Sequence, residues 1–555
     1  MALPGIQPQS PRVLAWLLGG LLYRTLVALW LLPGFDEAYY YLYSRHLNWS
    51  YFDHPPLVAF TTGVGWWLTG QVSPFTIRLG ALALYTLSLM LLYRAASRLY
   101  GLAAGHMTLA IVSLVPLLTI AFGILTSPDN GLMLAWSATL LVAIEEFFPP
   151  VVTAAAKAYR PSWRLALLGL LVGLACLSKY HGFILGLGLV GFCLTNRPYR
   201  SALTSPWTLA ALGLFVLILF PLWYWNSQHQ WISFRFQLGL RFEDSSGNSP
   251  FSWVQMVGYW LLSNLYLFPL FGFPLWWVLG RRTAGAIGHG SGLANAGLST
   301  PVTSPADQSP YPLALILWLS WPIVLLFTLL GGKQQILPAW PAPGYWGAVI
   351  LLGVQGVIWR RQRPAWVRRW LWGSGWFLAT LSVLALLHLQ LGVFQRPNHH
   401  TPWAGLVPVD QDGSTELIHT QQLRRLLAAD PEVQGVLRET AFIFTNEYYL
   451  GGYIAMALPA PTDPPVTAFS QDPRGFAFWF DQGEWLGKDA LWVTLERFVT
   501  DSEILNQYRP LFKAITPLTT LDLKRGGAVT ETLHVFRCQE FRQIYPYPYG
   551  PAAEG

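Results

Sequence analysis

Residues 11–60 read PRVLAWLLGGLLYRTLVALWLLPGFDEAYYYLYSRHLNWSYFDHPPLVAF. Positions 13–33 are apolar except for Arg24, and the run is long enough to cross a bilayer core of about 30 Å. Asp36 follows at once and opens a loop, 34–60, crowded with tyrosines and charges. Charge beside lipid is expensive, so a crossing that delivers ionisable groups straight to the membrane edge marks them as functional candidates.

Outward from this stretch, apolar runs recur near 78–97, 104–124, 131–148, 164–178, 181–195, 207–225, 253–280, 311–330, 336–358 and 370–393. The runs at 164–178 and 181–195 are short, and 253–280 is long, with Pro269 and Pro274 inside it. Residues 57–70, with Trp66 and Trp67, read as a re-entrant or interfacial helix. The expectation is a mainly α polytopic membrane bundle of about eleven to thirteen transmembrane helices.

Composition agrees. Of 555 residues 53% are hydrophobic, 15% aromatic and only 11% charged, and the mean hydropathy of +0.37 leaves too little polar surface for a water-soluble globule. A cytosolic enzyme, a disordered chain and a disulfide scaffold are excluded. The net charge of +7 reads as loop orientation rather than a nucleic-acid partner. Cys176, Cys193 and Cys538 form no zinc-type spacing.

With a cytoplasmic N-terminus, one set of loops takes Arg94/Arg98, Lys157/Arg160/Arg164, Arg197/Arg200, Arg281/Arg282 and Arg360/Arg361/Arg363/Arg368/Arg369. The other set receives Asp36/Glu37, Asp53/His54, Asp129, Lys179/His181, His229/Arg235/Arg241 and Lys333. The positive-inside rule then assigns the basic clusters to the cytoplasm and the sparse polar set to the outside. The start of the chain does not read as a cleaved signal peptide, because Arg24 interrupts the apolar run and no small-x-small site follows. Residues 283–310 are rich in Gly, Ser and Ala and read as a flexible cytoplasmic connector. Past residue 395 the pattern changes to an amphipathic helix near 415–429 followed by β-rich stretches such as ETAFIFTNEYY, ALWVTLERF and TLHVFRCQEF. The division expected is a membrane domain, 1–395, and an extracytoplasmic soluble α/β domain, 396–555.

Asp36, Tyr40 and Tyr43 share one face at helical spacing, so the first loop opens as an interfacial helix. Asp53 and His54 precede Pro55-Pro56, which fix φ and hold the pair on a rigid turn. Carboxylates here serve as a general base, as metal ligands or as orienters of an acceptor; the competing reading has tyrosines in an aromatic belt and acids capping helices or pairing with Arg45. Asp129, in Ser127-Pro128-Asp129-Asn130, combines a helix N-cap with a possible place in the site. Lys179 and Lys333 sit in tight turns on the non-basic side, where each is either a phosphate-binding point charge or a snorkelling lysine. His54 and Arg241 are further phosphate-binding candidates, and Asp53 with His54 is a candidate metal pair. Arg24 and Arg78 are candidate buried partners of the outer acids.

The runs Phe35-Asp36-Glu37-Ala38-Tyr39-Tyr40 and Tyr51-Phe52-Asp53-His54-Pro55-Pro56-Leu57, with Ser127-Pro128-Asp129, Leu177-Ser178-Lys179-Tyr180 and Lys333…Leu337-Pro338-Ala339, resemble the bacterial dolichyl-phosphate-mannose protein mannosyltransferase-like family. That family includes the lipid A aminoarabinose (ArnT-like) transferases and has the GT-C membrane fold. The resemblance implies inverting transfer of a sugar from a polyprenyl-phosphate carrier to a lipid, glycan or protein acceptor, on the outer side of the bacterial inner membrane. It gives Asp36 the acid/base position, with Glu37 and Asp129 beside it as catalytic candidates. The aminoarabinose transferases carry Glu-Lys where this chain has Asp53-His54, so a divalent metal is the one cofactor in question. Gln237 is the nearest counterpart by context of a histidine found in some members. The alternative is a lipid-linked sugar transporter or flippase, which would carry an internal repeat and polar residues at mid-membrane depth.

Overall fold

The computed structural model describes residues 11–149, 158–239, 251–288, 310–395, 405–458, 464–499 and 502–551. Every apolar run named above is helical. The first crossing is α1 (Pro11–Trp30), followed by a short α2 (Phe35–Arg45) and the apolar α3 (Leu57–Thr69). The run at 78–97 and the first half of that at 104–124 form one helical stretch, α4 (Leu79–Val112), broken at Gly101, whose φ of 83° falls where side-chain-bearing residues rarely go; a π-helical turn, Leu117–Ala121, follows. Next come α5 (Pro128–Phe147), α6 (Arg164–Ser178) and α7 (Gly182–Thr195). The run at 207–225 bends by 46° between α8 (Pro206–Ile218) and α9 (Phe220–Gln228), and a short α10 (Ile232–Leu238) follows.

The run at 253–280 is not one straight crossing. It divides into α11 (Trp253–Tyr266) and α12 (Pro269–Gly288), inclined by 118°, with Phe268 at a φ of 66° in the elbow. Proline at 269 has no N–H for the preceding helix and starts a new one. The bundle closes with α13 (Tyr311–Leu330), α14 (Ala342–Gln362) and α15 (Pro364–Leu391). Among the described residues five helices are long and apolar enough to cross a membrane, up to seven if each bent pair is one span, beside three shorter apolar helices. The remaining runs are short or interrupted helices, whereas α14, one of the five, is buried along most of its length.

After residue 405 come α16 (Thr420–Ala429), α17 (Pro431–Glu439) and α18 (Tyr448–Ala457), packed with a five-stranded sheet. Its strands β1 (Phe442–Thr445), β2 (Val466–Ala468), β3 (Ala490–Leu495), β4 (Phe512–Arg525) and β5 (Ala528–Phe541) lie in the order β2-β1-β3-β5-β4. Pairing of β1 with β2 and β3 is parallel, and β5 runs antiparallel to β3 and β4.

The sheet region is joined to α2 by one apolar core. Tyr39, Tyr41 and Tyr43 pack in the same cluster as Leu450, Tyr453, Ile454 and Leu491. Gly452 of α18 lies so close to the Ala38 backbone that a Cβ there would collide with it, and the Tyr453 hydroxyl donates to the Pro33 carbonyl at 2.8 Å. The tyrosine face of α2 is therefore buried against the C-terminal region rather than arrayed as an aromatic belt in lipid. Arg98, twenty residues along α4 from Arg78 and so about 30 Å away by helix rise, donates to the Phe148 carbonyl, and Tyr159 donates to Glu146.

Candidate active site

The site is assembled where α1, α4, α5 and α6 meet the first loop. Glu37 and Arg78 form its buried base, with side chains 3% and 0% exposed. Arg78 donates through Nε to Glu37 Oε1 at 2.8 Å and through Nη2 to Oε2 at 2.5 Å. Its other N–H groups take the carbonyls of Ala28, Leu31 and Leu32, the last of which also receives Nη2. Those are acceptors that the end of α1 leaves without helical partners. Glu37 also accepts from the Gly34 N–H at 3.0 Å and from the Thr126 N–H at 2.9 Å. This one carboxylate thus ties α1, α2, α4 and the loop before α5 together. Arg24, the other candidate partner of the acids, instead donates to Thr86 at 2.8 Å and lies over the Tyr85 ring.

Asp36, one residue earlier in the first turn of α2, is exposed. Its charge is felt by Tyr40, Tyr448, Tyr453 and Arg474. Burial first, then the charges of Asp36 and Asp53, hold the Tyr40 hydroxyl protonated well above the usual phenol range.

Asp53 is 1% exposed. Its Oδ1 accepts from the Tyr43 hydroxyl and, at 3.3 Å, from Tyr39; its Oδ2 accepts from Arg474 at 3.4 Å. Its backbone carbonyl accepts from Gln237 at 2.6 Å, so the glutamine expected by context to replace a histidine does reach this turn. His54 stands edge-on to the Tyr40 ring with centroids 5.6 Å apart. Both Asp53 oxygens are committed, one of them to a guanidinium that would repel a dication. Among the described residues no group of three or more His, Cys, Asp or Glu side chains is placed to hold a metal ion. Asp53 and His54 in this arrangement do not fit a divalent metal.

Ser127 and Asn130 form a capping box at the start of α5. Asp129, one turn in, receives Lys179 Nζ on both oxygens at 2.9 and 2.8 Å, each side chain being 12% exposed. Capping thus falls to Ser127 and Asn130, and Asp129 in the same first turn is the ion-pair residue. The turn after Lys179 leans on the Lys333 region: the His181 ring stacks on Phe327 at 4.8 Å and meets Trp340 edge-on at 6.2 Å. Lys333, between α13 and α14, is exposed and forms no ion pair among the described residues. Arg241 lies outside the described residues.

Arg474 is the member of this group that the sequence did not single out. It lies in the C-terminal region, in Asp472-Pro473-Arg474-Gly475, and packs its guanidinium on the Tyr448 ring at 3.7 Å. Burial favours its neutral form, but Tyr448, Asp53, Asp472 and Asp36 outweigh that and hold it charged well beyond the usual arginine range. A local signal existed only for a turn, Asp-Pro-x-Gly.

Three comparisons bear on the whole. Residues 53–225 match the model of the dolichyl-phosphate-mannose-protein mannosyltransferase family. A curated relative, the lipid A galacturonosyltransferase RgtD of Rhizobium johnstonii, is 24% identical over 332 residues, or 57% of this chain. The aligned part spans 59% of that relative's length. The crystal structure of ArnT from Cupriavidus metallidurans in the apo state superposes with a TM-score of 0.59 at 14% identity, covering 94% of this chain and 97% of that one. The same ArnT bound to undecaprenyl phosphate gives 0.58 at 14% identity, with 95% and 98% covered. The chain is an integral membrane protein with the GT-C fold of the ArnT-like glycosyltransferases.

Proposed function

We propose that the protein is an inverting membrane glycosyltransferase that moves a sugar from a polyprenyl-phosphate carrier to a lipid, glycan or protein acceptor on the extracytoplasmic side of a bacterial inner membrane. The observation that carries this reading is the gathering of Asp36, Asp53, His54, Asp129 and Lys179 at one end of an ArnT-like bundle, beneath the C-terminal region. The ArnT that shares this fold has been seen with undecaprenyl phosphate, and RgtD is named for transfer to lipid A.

In this reading the tail of the donor stays in lipid and its phosphate sits at the end of the bundle. Asp36, exposed and carried on a buried helix, takes the proton from the acceptor hydroxyl. The acceptor oxygen bonds to the anomeric carbon while the bond from that carbon to the phosphate oxygen breaks, and polyprenyl phosphate leaves with the electron pair. Lys333 neutralises the departing charge with His54 in support, while Arg241, a further phosphate candidate by sequence, lies outside the described residues. Lys179 is already neutralised by Asp129, so this pair orients the α5–α6 corner and contributes less to phosphate than an uncommitted lysine. Glu37 holds the base of the site through Arg78 and leaves the proton transfer to Asp36. No step runs through a metal, because Asp53 is occupied by tyrosines and Arg474. The flippase reading loses ground because the polar cluster lies at one end of the bundle.

The test is mass spectrometry of envelope glycolipids and glycoproteins from cells with and without this protein. The reading expects one glycosylated species to vanish and to return on complementation. An unchanged envelope, or accumulation of a sugar carrier on the wrong side of the membrane with transfer intact, contradicts it.

A further inference from the structure

The C-terminal region reaches the first loop through a short strap, residues 472–475. Arg474 sits there with a φ of 47°, a left-handed conformation that persists in a non-glycine residue only when its surroundings impose it. Those surroundings are all from other elements. The Arg474 N–H donates to the Tyr549 hydroxyl at 2.9 Å, and the Gly475 N–H donates to the Tyr39 hydroxyl at 2.8 Å. Tyr549 in turn stacks on Phe52 with centroids 4.4 Å apart and planes inclined by 7°. The guanidinium is gripped on three sides: by the Tyr448 face, by Asp472 at 3.1 Å and by Asp53 at 3.4 Å. Its side chain is 22% exposed, whereas that of Asp53 is 2% exposed. The ion pair joins residues 421 positions apart and is the link in which a side chain of the C-terminal region compensates a buried charge of the loop.

We propose that Arg474 is a positioning residue for the transfer: it holds the buried Asp53 carboxylate, and through Tyr39 and Tyr43 the helix that carries Asp36, so the C-terminal region completes the site rather than merely covering it. Without a guanidinium, Asp53 is a buried anion with two phenol donors among the described residues, and it must turn toward water and drag the Tyr51–Pro56 turn with it. Such a displacement of about 1 Å is sufficient to cost about a hundredfold in rate when the base is misplaced. Lys333, the principal phosphate contact of the proposed reading, lies on another element, between α13 and α14, so donor binding changes far less than turnover.

This inference deepens the transferase reading and rests on it. The experiment compares R474Q, R474K, D53N and the double variant R474Q/D53N, expressed in cells lacking the native protein. Product is quantified by mass spectrometry, and the purified variants are titrated with undecaprenyl phosphate as a sugar-free probe after size-exclusion chromatography establishes folding. R474Q is expected to lower product formation by about tenfold or more while changing probe affinity far less. R474K keeps the charge and restores most of the activity. Because Arg474 acts through Asp53, the double variant is no worse than D53N alone. Wild-type product formation by R474Q, a loss confined to probe affinity, or losses that multiply in the double variant would each overturn the proposal. Should R474Q fail to fold, R474K decides: activity as low as that of D53N overturns it, and activity near wild type upholds it. Absence of product from the wild-type protein itself would strike the transferase reading instead.

Discussion

At the scale of single residues, neighbouring acids in the first loop have opposite environments. Asp36 is exposed, whereas Glu37 is sealed against Arg78 and two backbone N–H groups. Removing one partner of a buried pair leaves the other unmatched, so E37Q should cost about 3–5 kcal/mol of stability and lower the thermal unfolding temperature in detergent. A variant that unfolds like wild type but has lost turnover would instead make Glu37 a chemical residue. Lys333, with no ion pair among the described residues, should matter to the donor: K333A is expected to weaken undecaprenyl phosphate binding about tenfold with folding intact. Unchanged binding removes Lys333 from the phosphate site. The first-loop acids and both lysines were legible from sequence because charge beside an apolar run stands out. Arg474 was not, since it lies in a polar region where arginine is ordinary and meets Asp53 only through the docking of a distant strap.

At the scale of elements, α2 was visible as a helix, but its surroundings were not. Tyrosines at 39, 40, 41 and 43 suit a lipid interface and a protein core equally well, and the fit of Gly452 against Ala38 decides for the core. Similarly, Pro269 signalled an interruption in the run at 253–280, while a proline fixes where a helix stops and not the 118° at which the next one leaves. The C-cap of α2 makes the docking sensitive to acid. His46 stacks on Trp479 with centroids 5.0 Å apart and meets Phe480. Burial, reinforced by Arg45, lowers its pKa from 6.5 to about 4. The folded state therefore resists a proton that the unfolded state accepts: stability is full above pH 6.5 and declines as pH falls toward about 4. Unfolding followed by tryptophan fluorescence should show this decline, and H46F should flatten it. An equal decline in H46F would assign the effect to other groups.

At the scale of the whole molecule, the proposed sidedness can be checked without substrate. The native cysteines are all buried, so labelling of intact cells by a membrane-impermeant maleimide starts from a low background. L47C, beside the first-loop acids at an exposed position, should label from outside, and R361C, in the basic last turn of α14, only after the membrane is opened. The reverse pattern would put the acids in the cytoplasm. The central claim is that Asp36 takes the acceptor proton in a site already able to hold the lipid phosphate. The most direct measurement is product formation by D36N together with its binding of undecaprenyl phosphate. The account predicts a loss of about a hundredfold or more in product with the phosphate bound as in wild type, and product formed by D36N at the wild-type rate would contradict it.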